Sequence, residues 1–143
     1  MAEPILRRTA DLTAFRLRDG ATNKMVPLLA PGEAGGPASV NVEIFDVGGR
    51  QNPNSHPDSA ELFYFISGTG LASCDGTEVA VRAGDFLVLP AGSVHFIVNT
   101  GAERLYALTT LLRDDGSHDG SSRPQESLLA EDLAVLGPAN GTR

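Results

Sequence analysis

Short segments in which apolar and polar residues alternate follow one another along most of the chain. Alternation with a period of two is typical of β-strands that bury one face. Strands are predicted at residues 12–17, 24–29, 40–47, 61–66, 71–74, 77–81, 86–89, 94–98 and 104–112. Asp75-Gly76 between two of these segments predicts a two-residue hairpin turn. The Phe-Leu-Val-Leu segment at 86–89 is apolar throughout, which predicts that it is buried.

The ends of the chain differ in pattern from its centre, although all parts fit a single domain. Residues 1–37 are predicted to form an N-terminal arm, and residues 38–113 a barrel. Residues 114–143 are predicted to form a polar linker and a short C-terminal helix. The helix is predicted over residues 125–136, where leucines recur at rough helical spacing and Gly137-Pro138 follows.

Composition and charge exclude several classes of function. The chain has 143 residues with 16 glycines and 9 prolines, which fits one all-β domain of the antiparallel barrel or jelly-roll type. A net charge of −7 without any basic stripe argues against nucleic acid and anionic membranes as partners. Residues 1–8 lack the apolar region of a signal peptide, and no segment is apolar over a membrane-spanning length. A cytoplasmic location is therefore expected.

Two histidines and one glutamate fall on the strand-like segments, and they form the candidate metal site. The residues are His56, Glu61 and His95. Two imidazoles and one carboxylate bind divalent metals well and leave coordination positions open for substrate or dioxygen. A buried carboxylate without a partner would be costly in its ionised form, so a cation or a proton is expected beside Glu61.

Apolar side chains are predicted to share the face of these polar groups. Side chains two residues apart on a strand point to the same side, so Phe63 and Phe65 face the same way as Glu61, and Ile97 faces the same way as His95. Such a mixture is expected in a small-molecule site. Phe63, Phe65 and Ile97 are therefore candidate pocket residues, with ordinary core packing as the simpler interpretation.

The spacing of these residues resembles the two sequence motifs of the cupin family. The first motif is matched by Gly48, His56, Glu61 and Gly68, with Asn54 at its remaining fixed position. The second is matched by Gly84, Pro90, Gly92, His95 and Asn99. The resemblance extends over residues 38–112 and implies a small barrel of antiparallel strands in two sheets with a metal ion inside. It assigns the four ligand positions to Asn54, His56, Glu61 and His95.

One ligand position departs from the family pattern, because Asn54 stands where most metal-binding members have histidine. An asparagine can ligate a hard cation through its amide oxygen or hydrogen-bond a metal-bound water. The opposing interpretation is a barrel that keeps the motif glycines for its turns and has lost the ion. His118 lies among acidic and small residues in the linker, and we expect it in a solvated loop rather than at the metal.

The resemblance implies a metal-dependent enzyme that acts on a small organic molecule by Lewis-acid catalysis. Fe²⁺ with dioxygen would make it an oxygenase, for example a dioxygenase. Mn²⁺, Zn²⁺ or Ni²⁺ would suit an isomerase, decarboxylase, lyase or cyclase. The alternative is a barrel that binds a small ligand without catalysis. Because the arm leaves strand edges to cover, and because the cupin resemblance points the same way, a homodimer is also expected.

Overall fold

The structure is a computed structural model that describes residues 2–138. Its strands are β1 (Thr13–Phe15), β2 (Asn23–Leu29), β3 (Ser39–Phe45), β4 (Glu61–Ser67), β5 (Thr69–Cys74), β6 (Thr77–Arg82), β7 (Phe86–Leu89), β8 (His95–Asn99), β9 (Leu105–Leu111) and β10 (Gln125–Ser127). A 3-10 turn at Thr9–Asp11 precedes β1, and helix α1 is Ala130–Leu136. No helix among the described residues is long and apolar enough to cross a membrane, and the cytoplasmic location stays a prediction.

The strands form two antiparallel sheets, which confirms the predicted all-β jelly-roll class. A seven-stranded sheet has the order β10-β1-β2-β3-β9-β4-β7, and a three-stranded sheet has the order β6-β5-β8. The predicted hairpin turn is present, since Cys74 pairs with Thr77 across Asp75-Gly76. Asp75 there has a φ of 47°, and Gly76 follows with a φ of 84°.

The N-terminal strands belong to the sheet of their own chain. Phe15 of β1 pairs with Met25 of β2, and Asn23 of β2 pairs with Phe45 of β3. Strand β2 thereby covers an edge of β3 that would otherwise be open to a second chain. The division of the chain after residues 37 and 113 stays a prediction.

Two sequence predictions are corrected here. The helix begins at Ala130 rather than at residue 125, because Gln125–Ser127 pairs with β1 as its outer neighbour. The 86–89 strand is not buried, since Phe86 is 62% and Val88 48% exposed. Strand β7 is an edge strand whose outward side chains nothing in the described part of the chain covers.

The core between the two sheets follows the predicted alternation. Its buried members are Phe45, Phe63, Phe65, Ala72, Val81, Leu89, Ile97, Leu105 and Ala107. Phe63 and Phe65 stack with ring centroids 5.9 Å apart. Glu61 is on the same inward face of β4, so the strand pattern that builds this core also carries a carboxylate into the interior.

A buried polar cluster attaches helix α1 to the outer face of the large sheet. The Asp132 carboxylate accepts hydrogen bonds from Lys24 Nζ at 2.7 Å and from Tyr106 Oη at 2.8 Å. It also accepts one from the backbone N–H of Leu129 at 2.9 Å. Burial acts to raise the pKa of Asp132, but these hydrogen bonds outweigh it and the pKa is lowered. Removing one partner of so deeply buried an ion pair is strongly destabilising, because the other charge stays buried.

We expect Asp132→Ala to lower the free energy of unfolding by about 3–5 kcal/mol, because the buried Lys24 ammonium then keeps only the Glu126 carboxylate, 4.0 Å away. Urea denaturation measures the loss. The contribution of Asp132 is present above the ordinary pKa of an aspartate, about 4, and disappears as the pH falls below it. Glu131→Ala is the control, since that side chain is 60% exposed in its ion pair with Arg104. Equal losses in both variants would contradict the prediction.

Candidate metal centre

The candidate site is built around the Glu61 carboxylate at the start of β4. Glu61 is only 1% exposed. Strand β9 lies beside β4, and its inward Thr109 donates a hydrogen bond to Glu61 Oε2 at 2.9 Å. One neutral hydroxyl does not compensate a buried negative charge, so the rest of the site must supply a positive one.

His95 lies across the interior on β8 and faces the other carboxylate oxygen. Its Nε2 is 3.1 Å from Glu61 Oε1. Its Nδ1 is 3.2 Å from Ser93 Oγ, whose hydroxyl donates to the carbonyl of Pro90. Because that hydroxyl proton is already committed, Ser93 accepts the Nδ1 proton of His95, and the hydrogen-bond network leaves the Nε2 lone pair directed at Glu61.

His56 repeats this arrangement from the segment before β4. Its Nε2 is 3.5 Å from Glu61 Oε1, and its Nδ1 is 3.4 Å from Ser117 Oγ. The Ser117 hydroxyl donates to the Asp115 carboxylate, so Ser117 accepts a proton from His56 Nδ1. His56 Nε2 is buried and has no hydrogen-bond partner.

These contacts direct two imidazole lone pairs at one carboxylate oxygen, which is unfavourable unless a cation lies between them. That cation is a proton or a metal ion. If the cation is a proton, it is held between Glu61 and the rings. Burial acts to raise the pKa of Glu61, but the adjacent imidazoles of His56 and His95 lower it to about 2. The same contact with Glu61 raises the pKa of His56. Donor atoms 3.1–3.5 Å apart also match the spacing of about 3 Å between neighbouring ligands of a transition metal ion.

A third histidine completes the site, and the sequence analysis did not identify it. His118 Nε2 is 3.5 Å from Glu61 Oε2, and the His118 side chain is 8% exposed. The expectation that it lies in a solvated loop was therefore wrong. His56, Glu61 and His118 offer ligand atoms that all lie within 4.8 Å of one another. Burial lowers the pKa of His118, which keeps the ring neutral, as a metal ligand must be.

The loop that carries His118 is fixed to the barrel at several points. Its Asp114 N–H donates to the carbonyl of Pro37 at 2.8 Å. Arg123 at its far end donates to the carbonyl of Arg16 at 2.7 Å. Gly120 lies so close to Phe15 that a Cβ there would be 2.4 Å from the ring. The sequence offered one indirect signal for His118, namely that the first motif has Asn54 where a histidine is usual, so that a metal site would call for a donor from elsewhere in the chain.

Asn54 is near the site but is engaged with the backbone. Its N–H and C=O pair with those of His95 at 2.9 Å each. Its side-chain amide donates to the carbonyl of Asn52 at 2.9 Å and to that of His95 at 3.2 Å. The structure thus brings His56, Glu61 and His95 together with His118, while Asn54 holds the segment that carries His56 against β8. Its assignment as a ligand stays a prediction.

The three predicted pocket residues lie below the site. Phe63, Phe65 and Ile97 are fully buried members of the core between the sheets. A cavity of about 200 Å³ instead adjoins His56 and His118 on their outer side. Amide side chains make up much of its wall, namely Asn23, Gln51, Asn52 and Asn54. We call this space the polar cavity, because most of its lining residues are polar. The alternation of side chains along the strands had instead predicted walls of phenylalanine.

Glu43 is a second buried carboxyl group, and it lines this polar cavity. The Gln51 amide donates to both of its oxygens at 2.8 and 3.1 Å. Asn23 donates to it at 3.2 Å. Burial, and after it the negative charge of Glu61, raises the pKa of Glu43 to about 8. Glu43 therefore holds a proton at neutral pH, while Glu61 is ionised.

Comparison with protein families and solved structures gives one consistent result. The family model described as "Cupin domain" matches residues 41–111. The search among curated proteins found no match for this chain.

Among solved structures, a predicted oxalate decarboxylase from Thermotoga maritima is 22% identical, with a TM-score of 0.71 over 77% of this chain and 100% of that one. The Schizosaccharomyces pombe Cnp3 cupin domain is 16% identical, with a TM-score of 0.60 over 65% of this chain and 66% of that one. An oxalate oxidase is 23% identical, with a TM-score of 0.60 over 70% of this chain and 55% of that one. At these identities the similarity establishes the fold alone.

The protonated state of Glu43 predicts an unusual pH dependence of stability in the metal-free protein. Between its ordinary pKa of 4.5 and its folded pKa of about 8, the folded state keeps a proton that the unfolded state releases. Stability therefore falls as the pH rises from about 5 to 8, by up to about 4 kcal/mol.

Glu43→Gln removes this titration. The free energy of unfolding of the variant, relative to that of the wild type, should therefore increase as the pH rises from about 5 to 8. Chemical denaturation at a series of pH values measures it. Glu103→Gln, at an exposed carboxylate, should follow the wild type. An advantage of Glu43→Gln that does not change with pH would show that Glu43 is already ionised in the folded protein.

Proposed function

We propose that this chain, which belongs to the cupin superfamily, is a metal-dependent enzyme that acts on a small organic molecule. The observation that carries the proposal is the convergence of three histidine Nε2 atoms on the two oxygens of one buried glutamate. We assign His56, Glu61, His95 and His118 as the ligands. Three imidazoles and one carboxylate suit Fe²⁺, Mn²⁺, Zn²⁺ or Ni²⁺.

A divalent ion bound there would supply Lewis acidity to an oxygen-bearing substrate and stabilise negative charge that develops on it. The chain itself supplies the orientation of the ligands. Ser93 fixes the ring of His95, and Ser117 fixes the ring of His56. Ligand rings held through their second nitrogen keep the correct tautomer and position.

Glu43 is the residue best placed for proton transfer in this proposal. It lines the polar cavity that also contains His56 and His118, and it is protonated at neutral pH. The side-chain amide of Gln51 holds the carboxyl group in place. Its Oε1 in turn accepts a hydrogen bond from the backbone N–H of Ile97 at 3.0 Å. A group with a pKa close to neutrality can both give and take a proton during turnover.

The polar cavity indicates the class of substrate. A volume of about 200 Å³ admits only a small molecule, and the amide side chains with Arg18 at the edge suit one rich in oxygen. Structural relatives named as an oxalate decarboxylase and an oxalate oxidase support a small carboxylate or a similar compound. Such a site suits oxygenase, isomerase, decarboxylase and lyase chemistry alike.

The second candidate is a non-catalytic barrel that binds a small ligand. It is favoured by the loop at 113–123, which lays His118 over the Oε2 side of Glu61 and so covers part of the site. The number of exchangeable waters separates the two candidates. Water-proton relaxation in the Mn²⁺-loaded protein should show at least one rapidly exchanging water for an enzyme, and none for a closed site.

The ligand assignment predicts that His56→Ala, His95→Ala and His118→Ala each lose bound metal while keeping the fold. Each removes one imidazole from a set of four donors, whereas the motif glycines determine the turns. Elemental analysis and circular dichroism of the purified variants measure metal and fold.

Asn54→Ala is the matched comparison, because Asn54 occupies the remaining ligand position of the family pattern. It should keep its metal if His118 is the fourth ligand. Loss of metal in Asn54→Ala but not in His118→Ala would assign the fourth position to Asn54. Full metal content in all three histidine variants would exclude the site.

The proposal includes a homodimer, for which the outer face of β4 and β7 offers the interface. Tyr64 is 48% and Phe86 62% exposed on this face, and β7 is an edge strand that can pair with its copy across a twofold axis. Sedimentation should show a species of twice the chain mass of 15.0 kDa. Phe86→Lys should shift it to monomer, whereas Val79→Lys on the other sheet should not. A monomeric wild type at micromolar concentration would reject the dimer.

A further inference from the structure

A larger cavity lies on the far side of His118 from the polar cavity. It has a volume of about 520 Å³. Phe15, Pro27 and Leu29 give it apolar walls, and Ser39, Asn41 and His118 contribute polar groups. This size and this mixture of a mostly apolar lining with a few polar groups are typical of small-molecule sites.

Two polar atoms of this lining are buried without a hydrogen-bond partner. They are Ser39 Oγ and His118 Nδ1. Ser39 is 2% exposed, and Asn41 on the same face of β3 is 3% exposed. Buried polar atoms nearly always have a partner, so two orphaned atoms on one cavity require an explanation. A bound molecule that hydrogen-bonds to both would supply it.

The charges around the cavity restrict what that molecule can be. Asp114 and Asp119 of the 113–123 loop also line it. Backbone N–H groups of the same loop already donate to these carboxylates, from Gly116 to Asp114 and from Ser121 to Asp119. No cationic side chain is among the lining residues. An anionic head group would be repelled there, whereas a carbonyl or hydroxyl oxygen would not.

We propose that this cavity binds a small uncharged molecule with an apolar ring or chain and one carbonyl or hydroxyl oxygen. The apolar part packs against Phe15, Pro27 and Leu29. The oxygen accepts hydrogen bonds from His118 Nδ1 and Ser39 Oγ, which satisfies both orphaned atoms. This site is separate from the polar cavity of the proposed enzyme, with His118 as the wall that the two share.

Benzamide is a suitable probe, because it joins an apolar ring to a neutral amide. Benzoate has the same shape and a negative charge, so it is the matched control ligand. Titration calorimetry on the metal-free protein should detect benzamide binding and much weaker or no benzoate binding. Since metal is absent in this experiment, its result does not depend on the proposed enzyme function.

Two variants locate the bound probe. Ser39→Ala removes one hydrogen bond and should weaken benzamide binding by about 5- to 10-fold. It should not lower the melting temperature, because the Ser39 hydroxyl has no partner within the protein. Leu29→Trp should abolish binding by filling the cavity.

Ser59→Ala is the control variant, since Ser59 is equally buried but its hydroxyl is hydrogen-bonded to Ala60 and Arg113. It should lower the melting temperature and leave benzamide affinity unchanged. The proposal is overturned if benzamide does not bind at low-millimolar concentration. It is also overturned if Ser39→Ala and Leu29→Trp bind it like the wild type, or if benzoate binds as tightly.

Discussion

The site depends on the charge of one buried carboxylate. Glu61 is carried inward by the same strand alternation that buries Phe63 and Phe65, so it cannot reach water without disrupting the core. Because Ser93 and Ser117 fix the Nδ1 protons of His95 and His56, both rings turn a lone pair towards Glu61. A cation reconciles these groups, and a divalent ion can be shared by several ligands at once, whereas a proton cannot.

The third histidine shows how a fold can supply a ligand that its motif lacks. The family pattern places that ligand two residues before His56, where this chain has Asn54. His118 reaches the same carboxylate from a loop after the last strand of the predicted barrel. This arrangement imposes a steric constraint, because the loop must approach the barrel closely. Gly120 lies at this close approach, against the Phe15 ring. Any side chain at position 120 would force either the loop or the Phe15 ring to move.

Features that depend on neighbouring residues in the sequence were predicted correctly. Strand alternation placed Glu61, His95 and Ile97 on inward faces, and the two-residue turn at Asp75-Gly76 formed as expected. The misses have long-range causes. The sequence around His118 is polar and looks solvated, and its burial comes from contacts with Pro37 and Arg16 that lie far away along the chain. Residues 125–127 have helical character, but pairing with β1 outweighs that propensity.

The pair of carboxyl groups in the interior has a consequence for any chemistry in this barrel. Ionising both Glu43 and Glu61 would be energetically unfavourable, and their surroundings determine which of them is charged. Three imidazoles favour the charged form of Glu61. The two amides beside Glu43 stabilise its charged form too weakly to compensate for its burial. A bound cation would neutralise Glu61 and so weaken the repulsion that helps keep Glu43 protonated. Metal binding should therefore lower the pKa of Glu43 and make its proton easier to release. The charge of Glu43 would then depend on whether the neighbouring site is loaded, because the two carboxyl groups interact through their charges.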